Sequence, residues 1–293
     1  MKLIADSGST KTDWRIITDD NAIHQAKTPG TNPFYQTAEE ISKTVQNELI
    51  PHLKPEIVNN KSEIFFYGTG CSNEEKCKIV YSALKKIFPK ANIEVHHDLV
   101  GAARALCGHR AGIACILGTG SNSCYFDGTK IIKSIPSLGF ILGDEGSGGY
   151  LGKRLIRDFF NNEMPENINK KFIKKYSDVS GPVVQRHAFA LQDEILDKVY
   201  AASQPNVYLA SFSKFLFHNL KEPYIFKLIY DGFSAFFDKN VCKYSNYKDY
   251  RVHFVGSIAF YYNHVLKQVA ADKGVTIGNI LESPIAGLTL FHQ

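Results

Sequence analysis

This sequence predicts an α/β fold made of two similar domains, and three observations carry the prediction: its length, its alternation of strand-like and helix-like runs, and a strand–turn–strand unit that occurs twice. With 293 residues, 44% hydrophobic and 22% charged, the chain has material for two ordinary cores and none of the bias of disordered or fibrous proteins. Residues 3–6 read as a strand, 7–10 as a turn of small residues and 14–17 as a returning strand. The unit recurs one domain later: residues 113–117 form a strand, Gly118-Thr119-Gly120-Ser121-Asn122 a turn, and residues 123–126 a returning strand closed by Asp127-Gly128.

The elements between follow from local pattern. Residues 23–28 read as a third strand, leading through a Gly-Thr-Asn-Pro turn at residues 30–33 to a helix on which Ile41, Val45 and Leu49 recur at helical spacing. Residues 64–67 read as a buried strand ending in Gly68-Thr69-Gly70, residues 73–88 as a helix, and residues 93–97 as a strand after which Asp98 opens the next helix. The second half predicts helices over 148–161 and 222–238, then a strand over 252–255 that runs into Gly256-Ser257 and a further helix. No Pro/Gly/Ser-rich linker marks a boundary, so the internal echo sets the expected domains at 1–104 and 105–281, with a C-terminal helix over 282–293 rejoining the first.

Composition narrows the function classes. The opening MKLIADSGSTKT lacks the apolar core and cleavage site of a signal peptide, and no apolar run reaches membrane-spanning length, so a cytoplasmic protein without membrane contact is expected. The six cysteines (Cys71, Cys77, Cys107, Cys115, Cys124, Cys242) show no CxxC pair or zinc spacing and read as reduced core thiols. The net charge of +5 raises nucleic acid as a partner, but the one dense basic stretch, residues 169–175, has helical spacing with Phe172 and Ile173 facing inward. It reads as a solvated helix face.

Four segments carry chemistry. In Asp6-Ser7-Gly8-Ser9-Thr10-Lys11-Thr12, small residues let backbone N–H groups cradle anionic oxygens, Thr10 and Lys11 add a hydroxyl and a positive charge, and Asp6 is placed to hold the hydration shell of Mg²⁺. It is not a Walker A loop, since the GxxxxGK[ST] spacing is missing and a strand follows. The turn at residues 118–122 is a second cradle, with the Asn122 amide available for a diol or carbonyl. Leu142-Gly143-Asp144-Glu145-Gly146-Ser147-Gly148-Gly149 places glycines around two carboxylates before a helix, where Asp144 or Ser147 would serve as N-cap. Asp98, at the carboxyl end of a strand, is either a helix N-cap or a ligand-facing carboxylate.

Together with Gly30-Thr31-Asn32, Gly68-Thr69-Gly70 and Val255-Gly256-Ser257, these motifs resemble the N-acetylglucosamine kinase branch of the BadF/BadG/BcrA/BcrD ATPase family, nearly end to end and in order. The pair GTGSN and GDEGSG is specific to that branch. The resemblance implies two actin-like (ribonuclease H-like) domains with ATP and sugar in a cleft between them. It implies Asp98 as catalytic base, and Asn32, Thr69, Asn122 and Asp144 as sugar contacts. Ser9, Thr10 and Lys11 would form the first phosphate loop, Thr119 and Gly120 the second, and Gly256 with Ser257 a nucleotide turn. Leu138 and Phe140 stand where family members often carry a tryptophan near the sugar.

The expected reaction is in-line transfer of the ATP γ-phosphoryl group to a sugar hydroxyl, most plausibly the 6-hydroxyl, with water excluded by domain closure. N-acetylglucosamine leads, with N-acetylmuramic acid, N-acetylmannosamine and glucosamine open. The resemblance leaves the oligomeric state open, a homodimer being common in such kinases. Two alternatives remain at this point: an ATPase that activates a dehydratase through a subunit-bridging iron–sulfur cluster, and a non-catalytic sugar sensor on the same scaffold.

Overall fold

The computed structural model describes residues 1–8, 10–53, 61–176, 184–201 and 204–293. Strands β1 (Lys2–Ser7), β2 (Lys11–Ile17), β3 (Ile23–Pro29), β4 (Glu63–Gly68) and β5 (Asn92–His97) form one sheet in the order β3-β2-β1-β4-β5. The β1/β2 and β2/β3 pairs are antiparallel, and β1/β4 and β4/β5 are parallel. Strands β6 (Gly112–Leu117), β7 (Ser121–Phe126), β8 (Ile131–Ile135), β9 (Val252–Val255) and β10 (Ile277–Leu281) form the second sheet in the order β10-β9-β6-β7-β8. Read from β8, that is the first order repeated, so the duplicated sequence unit is the start of a duplicated sheet. The architecture is the two-domain actin-like α/β class.

Between the strands run α1 (Ala38–Thr44), α2 (Glu74–Ile87), α3 (Asp98–Cys107), α4 (Gly139–Leu142), α5 (Gly148–Phe160), α6 (Glu166–Tyr176), α7 (Val184–Tyr200), α8 (Pro205–Ser211), α9 (Ser213–His218), α10 (Pro223–Lys239), α11 (Ser257–Tyr261), α12 (Asn263–Asp272) and α13 (Ile285–Phe291). A reciprocal Thr37–Glu40 capping box starts α1. Its buried row Ile41, Val45 and Leu49 continues as expected, although the last two lie in a π-turn, Val45–Leu49. On α6, Phe172 is buried and Ile173 half-buried, while Lys170, Lys171, Lys174 and Lys175 are exposed, as a solvated face requires. Among the described residues no helix is long and apolar enough to cross a membrane.

Two compact units result: Met1–Ala114 with Phe126–Ile132 and Ser283–Gln293, and Cys115–Tyr125 with Lys133–Glu282. In the first, period-two alternation sends Leu3 and Ala5 of β1 to one face of the sheet, against Ile41, Val45, Val80 and Leu84. Ile4 goes to the other face with Tyr67, Ile285 and Leu288. Here α13 lies so near α3 that a Cβ on Gly287 would sit 2.4 Å from the Ala105 carbonyl oxygen. In the second unit α5 lies on α8 more closely still, a Cβ on Gly152 falling 1.9 Å from the Leu209 carbonyl oxygen.

That contact gives a prediction. Gly152→Ala forces backbone apart where no side chain can yield, and the expected cost is about 2–3 kcal/mol in unfolding free energy. Thermal melting checks this, and a variant as stable as the parent would show that α5 and α8 are not in direct backbone contact.

Candidate active site

Parallel pairing sets Ser7 opposite Gly68 and Gly68 opposite His97, so the chain leaves β1, β4 and β5 at one level of the first sheet. Asp6, Gly8, Thr69 and Asp98 therefore gather at the carboxyl ends of these strands, where open α/β sheets bind ligands. The Gly8 N–H bonds to the Lys11 carbonyl at 2.9 Å and the Gly30 N–H to that of Thr10 at 3.1 Å, closing the hairpin beside the start of the next loop. Ser9, named for the first phosphate loop, lies outside the described residues. The Lys11 ammonium rests on buried Asp13 at 2.9 Å.

The cap of α3 is not Asp98. His97 is the N-cap, its Nδ1 accepting the Leu99 N–H at 3.1 Å, and Asp98 is the first helical residue. The same nitrogen stands 2.8 Å from Asp98 Oδ1. While that nitrogen accepts the Leu99 N–H it offers the oxygen no proton, and Oδ1 then has no hydrogen-bond partner among the described residues; once protonated, the imidazole pairs with the carboxylate instead. The carboxylate as a whole is 30% exposed and has capacity left for a hydroxyl donor. Burial lowers the pKa of His97, but hydrogen bonding to Asp98 and its charge outweigh this and raise it on balance.

Asp6 stands next in this row. Burial foremost, then the negative charges of Asp98 and Asp13, push its carboxyl up to about 7, against smaller lowering by Ser283, whose hydroxyl donates to Oδ2 at 3.4 Å, and by Lys11. A buried carboxyl with two further carboxylates acting on it makes a place that favours a cation. Among the described residues no three His, Cys, Asp or Glu side chains converge as a closed metal site. A hard cation with most of its oxygen ligands from water and phosphate fits such a donor set.

Asn32 is brought against Gly70, the residue after Thr69. A Cβ on Gly70 would fall 2.3 Å from Asn32 Oδ1. That oxygen accepts the Phe34 N–H at 3.0 Å.

In the second unit the turn after β6 is folded onto the start of α5. The Gly148 and Gly149 N–H groups bond to the Gly118 and Thr119 carbonyls at 2.8 and 3.0 Å. Asp144, at φ 57°, reaches back so that Oδ1 accepts the Ser121 N–H at 3.1 Å, and a Cβ on Gly120 would strike its Oδ2 at 2.9 Å. Desolvation raises the Asp144 pKa, with Glu145 adding to it and the Ser121 bond and Lys153 opposing. Ser147, not Asp144, caps α5, accepting the Tyr150 N–H at 3.1 Å. Gly256, at φ 122°, brings the β9 turn to the same place, since a Cβ there would meet the Leu117 carbonyl oxygen at 2.3 Å. Open space lies over Gly118, Thr119 is exposed, and Asn122 Oδ1 accepts the Ser123 N–H at 2.8 Å.

Sequence reasoning missed several neighbours. Ala210 of α8 packs against Gly148, a Cβ on which would lie 3.1 Å from the Ala210 Cβ, and nothing in the pattern of α8 marks it. Ser283 and His97 were missed too, because their partners are distant or lie on a helix the backbone alone defines. Cys107 and Cys124 are buried, and burial pushes the Cys107 thiol up to about 12, which disfavours the thiolates a subunit-bridging cluster needs.

No family model matches the chain. A protein of Porphyromonas gingivalis, solved as a proposed N-acetylglucosamine kinase, is 41% identical, with a TM-score of 0.90 over 100% of this chain and 98% of its own. One from Chromobacterium violaceum, likewise solved as a proposed N-acetylglucosamine kinase, shares the fold at 15% identity and a TM-score of 0.67, over 100% of this chain and 98% of its own. The N-acetyl-D-glucosamine kinase of Dictyostelium discoideum is 26% identical over 165 residues, 52% of this chain and 51% of that protein. The match thus spans about half the length of this curated relative.

The Asp6 environment yields a pH prediction. A carboxyl whose folded pKa lies above its unfolded value near 3.8 destabilises the fold in its ionised form: the penalty is absent below pH 4, grows to about pH 7 and is complete above it. Asp6→Asn should therefore stabilise the ligand-free protein at pH 8 by on the order of 1–2 kcal/mol, read as a higher melting temperature, and leave it nearly unchanged at pH 4. Equal melting of the two proteins at pH 8 would show that the ionised Asp6 carboxylate carries no penalty in the folded protein.

Proposed function

We propose, starting from the fact that this chain belongs to the N-acetylglucosamine kinase branch of the BadF/BadG/BcrA/BcrD ATPase family, that it is an ATP-dependent sugar kinase that phosphorylates an amino sugar, N-acetylglucosamine first, on its 6-hydroxyl. The observation that carries the mechanism is the uncommitted Asp98 carboxylate. Its helix is capped by His97, its Oδ1 has no hydrogen-bond donor among the described residues while His97 Nδ1 serves the Leu99 N–H, and it stands beside Asp6 at the strand ends.

In this reading Asp98 accepts the proton of the sugar hydroxyl as that oxygen attacks the γ-phosphorus, and ADP leaves in line. Asn32 and Thr69 in the first unit and Asn122 and Asp144 in the second bind the sugar. An Asn32 amide whose oxygen is spent on Phe34 is left as a donor for a carbonyl, such as that of an acetamido group. Backbone N–H groups of the turn before Lys11, with Thr10 and the Lys11 ammonium, hold phosphate oxygens, and so do Thr119 and Gly120 in the matching turn. Gly256 and Ser257 bind the nucleotide at the turn that Gly256 alone can form. Mg²⁺, held through water by Asp6, would supply neutralisation of the β- and γ-phosphate charge. The protein works as a cytoplasmic enzyme, and a homodimer is its expected assembly.

An ADP-release assay with Mg-ATP over N-acetylglucosamine, N-acetylmannosamine, N-acetylmuramic acid, glucosamine and glucose tests the proposal. At least one N-acetylated hexosamine should stimulate release well above the sugar-free rate, and glucose should do so poorly. No stimulation by any amino sugar would overturn it.

A further inference from the structure

Ser7 follows Asp6 in the first turn, where a small residue is enough to let the backbone approach a phosphate. Its side chain is buried and does something a glycine could not. The Ser7 Oγ lies 2.7 Å from the Thr12 Oγ1 across the hairpin and accepts the Thr31 N–H at 3.0 Å. Thr12 Oγ1 in turn donates to the Pro29 carbonyl at 3.2 Å. Each hydroxyl has one proton, so these contacts fix one direction: Thr31 N–H to Ser7, Ser7 O–H to Thr12, Thr12 O–H to Pro29. The Thr31 carbonyl, 3.4 Å from Ser7 Oγ, is the longer alternative acceptor. The Ser7 backbone carbonyl meanwhile accepts the Thr69 N–H at 2.9 Å.

One residue thus ties down two loops. Through its hydroxyl it holds Thr31, next to Asn32, and through its carbonyl it holds Thr69, next to Gly70, while Asn32 and Gly70 touch each other. All these atoms lie in the first unit. We infer that Ser7 and Thr12 are positioning residues for sugar affinity: their buried hydroxyl chain sets the place of Thr31, and with it Asn32, without touching the sugar. The inference rests on the sugar-kinase reading. Its physical basis is that chained hydrogen bonds in a buried site reinforce one another, and that a buried N–H stripped of its acceptor forces the backbone to move. A displaced loop costs sugar binding, because geometry within about half an ångström decides the fit.

The test uses Ser7→Ala and Thr12→Val, which break the chain with little change in volume, and Thr12→Ser, which keeps the hydroxyl. In the two breaking variants KM for N-acetylglucosamine should rise about 10-fold, KM for ATP should stay within about twofold, and kcat should fall by less than about threefold. Hydrogen–deuterium exchange over residues 28–36 should be faster in both, and Thr12→Ser should match wild type in all readouts. A sugar KM unchanged in a folded, active Ser7→Ala or Thr12→Val, or an equal rise in both KM values, overturns the inference. The exchange measurement stands apart from catalysis: an unaltered Thr31 amide in Ser7→Ala, or in Thr12→Val should Ser7→Ala fail to fold, overturns it whatever the activity. Wild-type enzyme with no sugar-stimulated ADP release would overturn the kinase reading, and the exchange rates would still decide whether the chain holds the loop.

Discussion

Strands β1, β4 and β5 run parallel and in step, with Ser7, Gly68 and His97 side by side at their ends. Parallel register obliges the chain to leave all three strands at the same edge, and the residues that follow have nowhere else to be. Asp6 and Asp98 are brought close by it, against their charge. The sheet can impose this because both its faces are covered, by α1 and α2 on one side and by α3 and α13 on the other, so no strand can slip without moving its apolar residues off the core. The ionised form of Asp6 is disfavoured there, first by burial and then by the charges of Asp98 and Asp13, which raise its carboxyl to about 7.

The second unit solves a related problem with different parts. Its sheet repeats the order of the first, yet its turn is anchored through carbonyls taken up by the start of α5 and through the Asp144 carboxylate. In the first unit hydroxyls and backbone from three loops do this work. Duplication therefore fixed the strand order and left the means of holding each turn free to differ.

Sequence pattern revealed the strands and their turns because alternation, glycine and small polar residues are local signals. The repeated unit made the duplication visible. What it could not reveal is how neighbours divide their hydrogen bonds. Asp98 at the head of a helix reads as a cap, and only the three-dimensional course of residues 97–99 shows that His97 takes the role. Ser7 and Thr12 read as ordinary turn residues, because Thr31 and Thr69, their partners, are distant in sequence. The run of Ile41, Val45 and Leu49 gives a buried stripe but no warning of a π-turn, since a π-turn keeps the stripe on nearly the same face. Ala210 carries no signal at all. The roles proposed for Asp98, Asp6 and the sugar-contacting residues come from chemistry and resemblance.

The central claim is that the free Asp98 carboxylate is the catalytic base. Asp98→Asn tests it most directly, because asparagine nearly matches the size of aspartate and the cap of α3 belongs to His97. The account predicts normal melting, near-normal sugar binding by calorimetry, and turnover reduced by about 10²–10⁴-fold. A variant that melts normally and keeps more than about a tenth of wild-type turnover would contradict it, since a loss that small is less than a positioned base supplies.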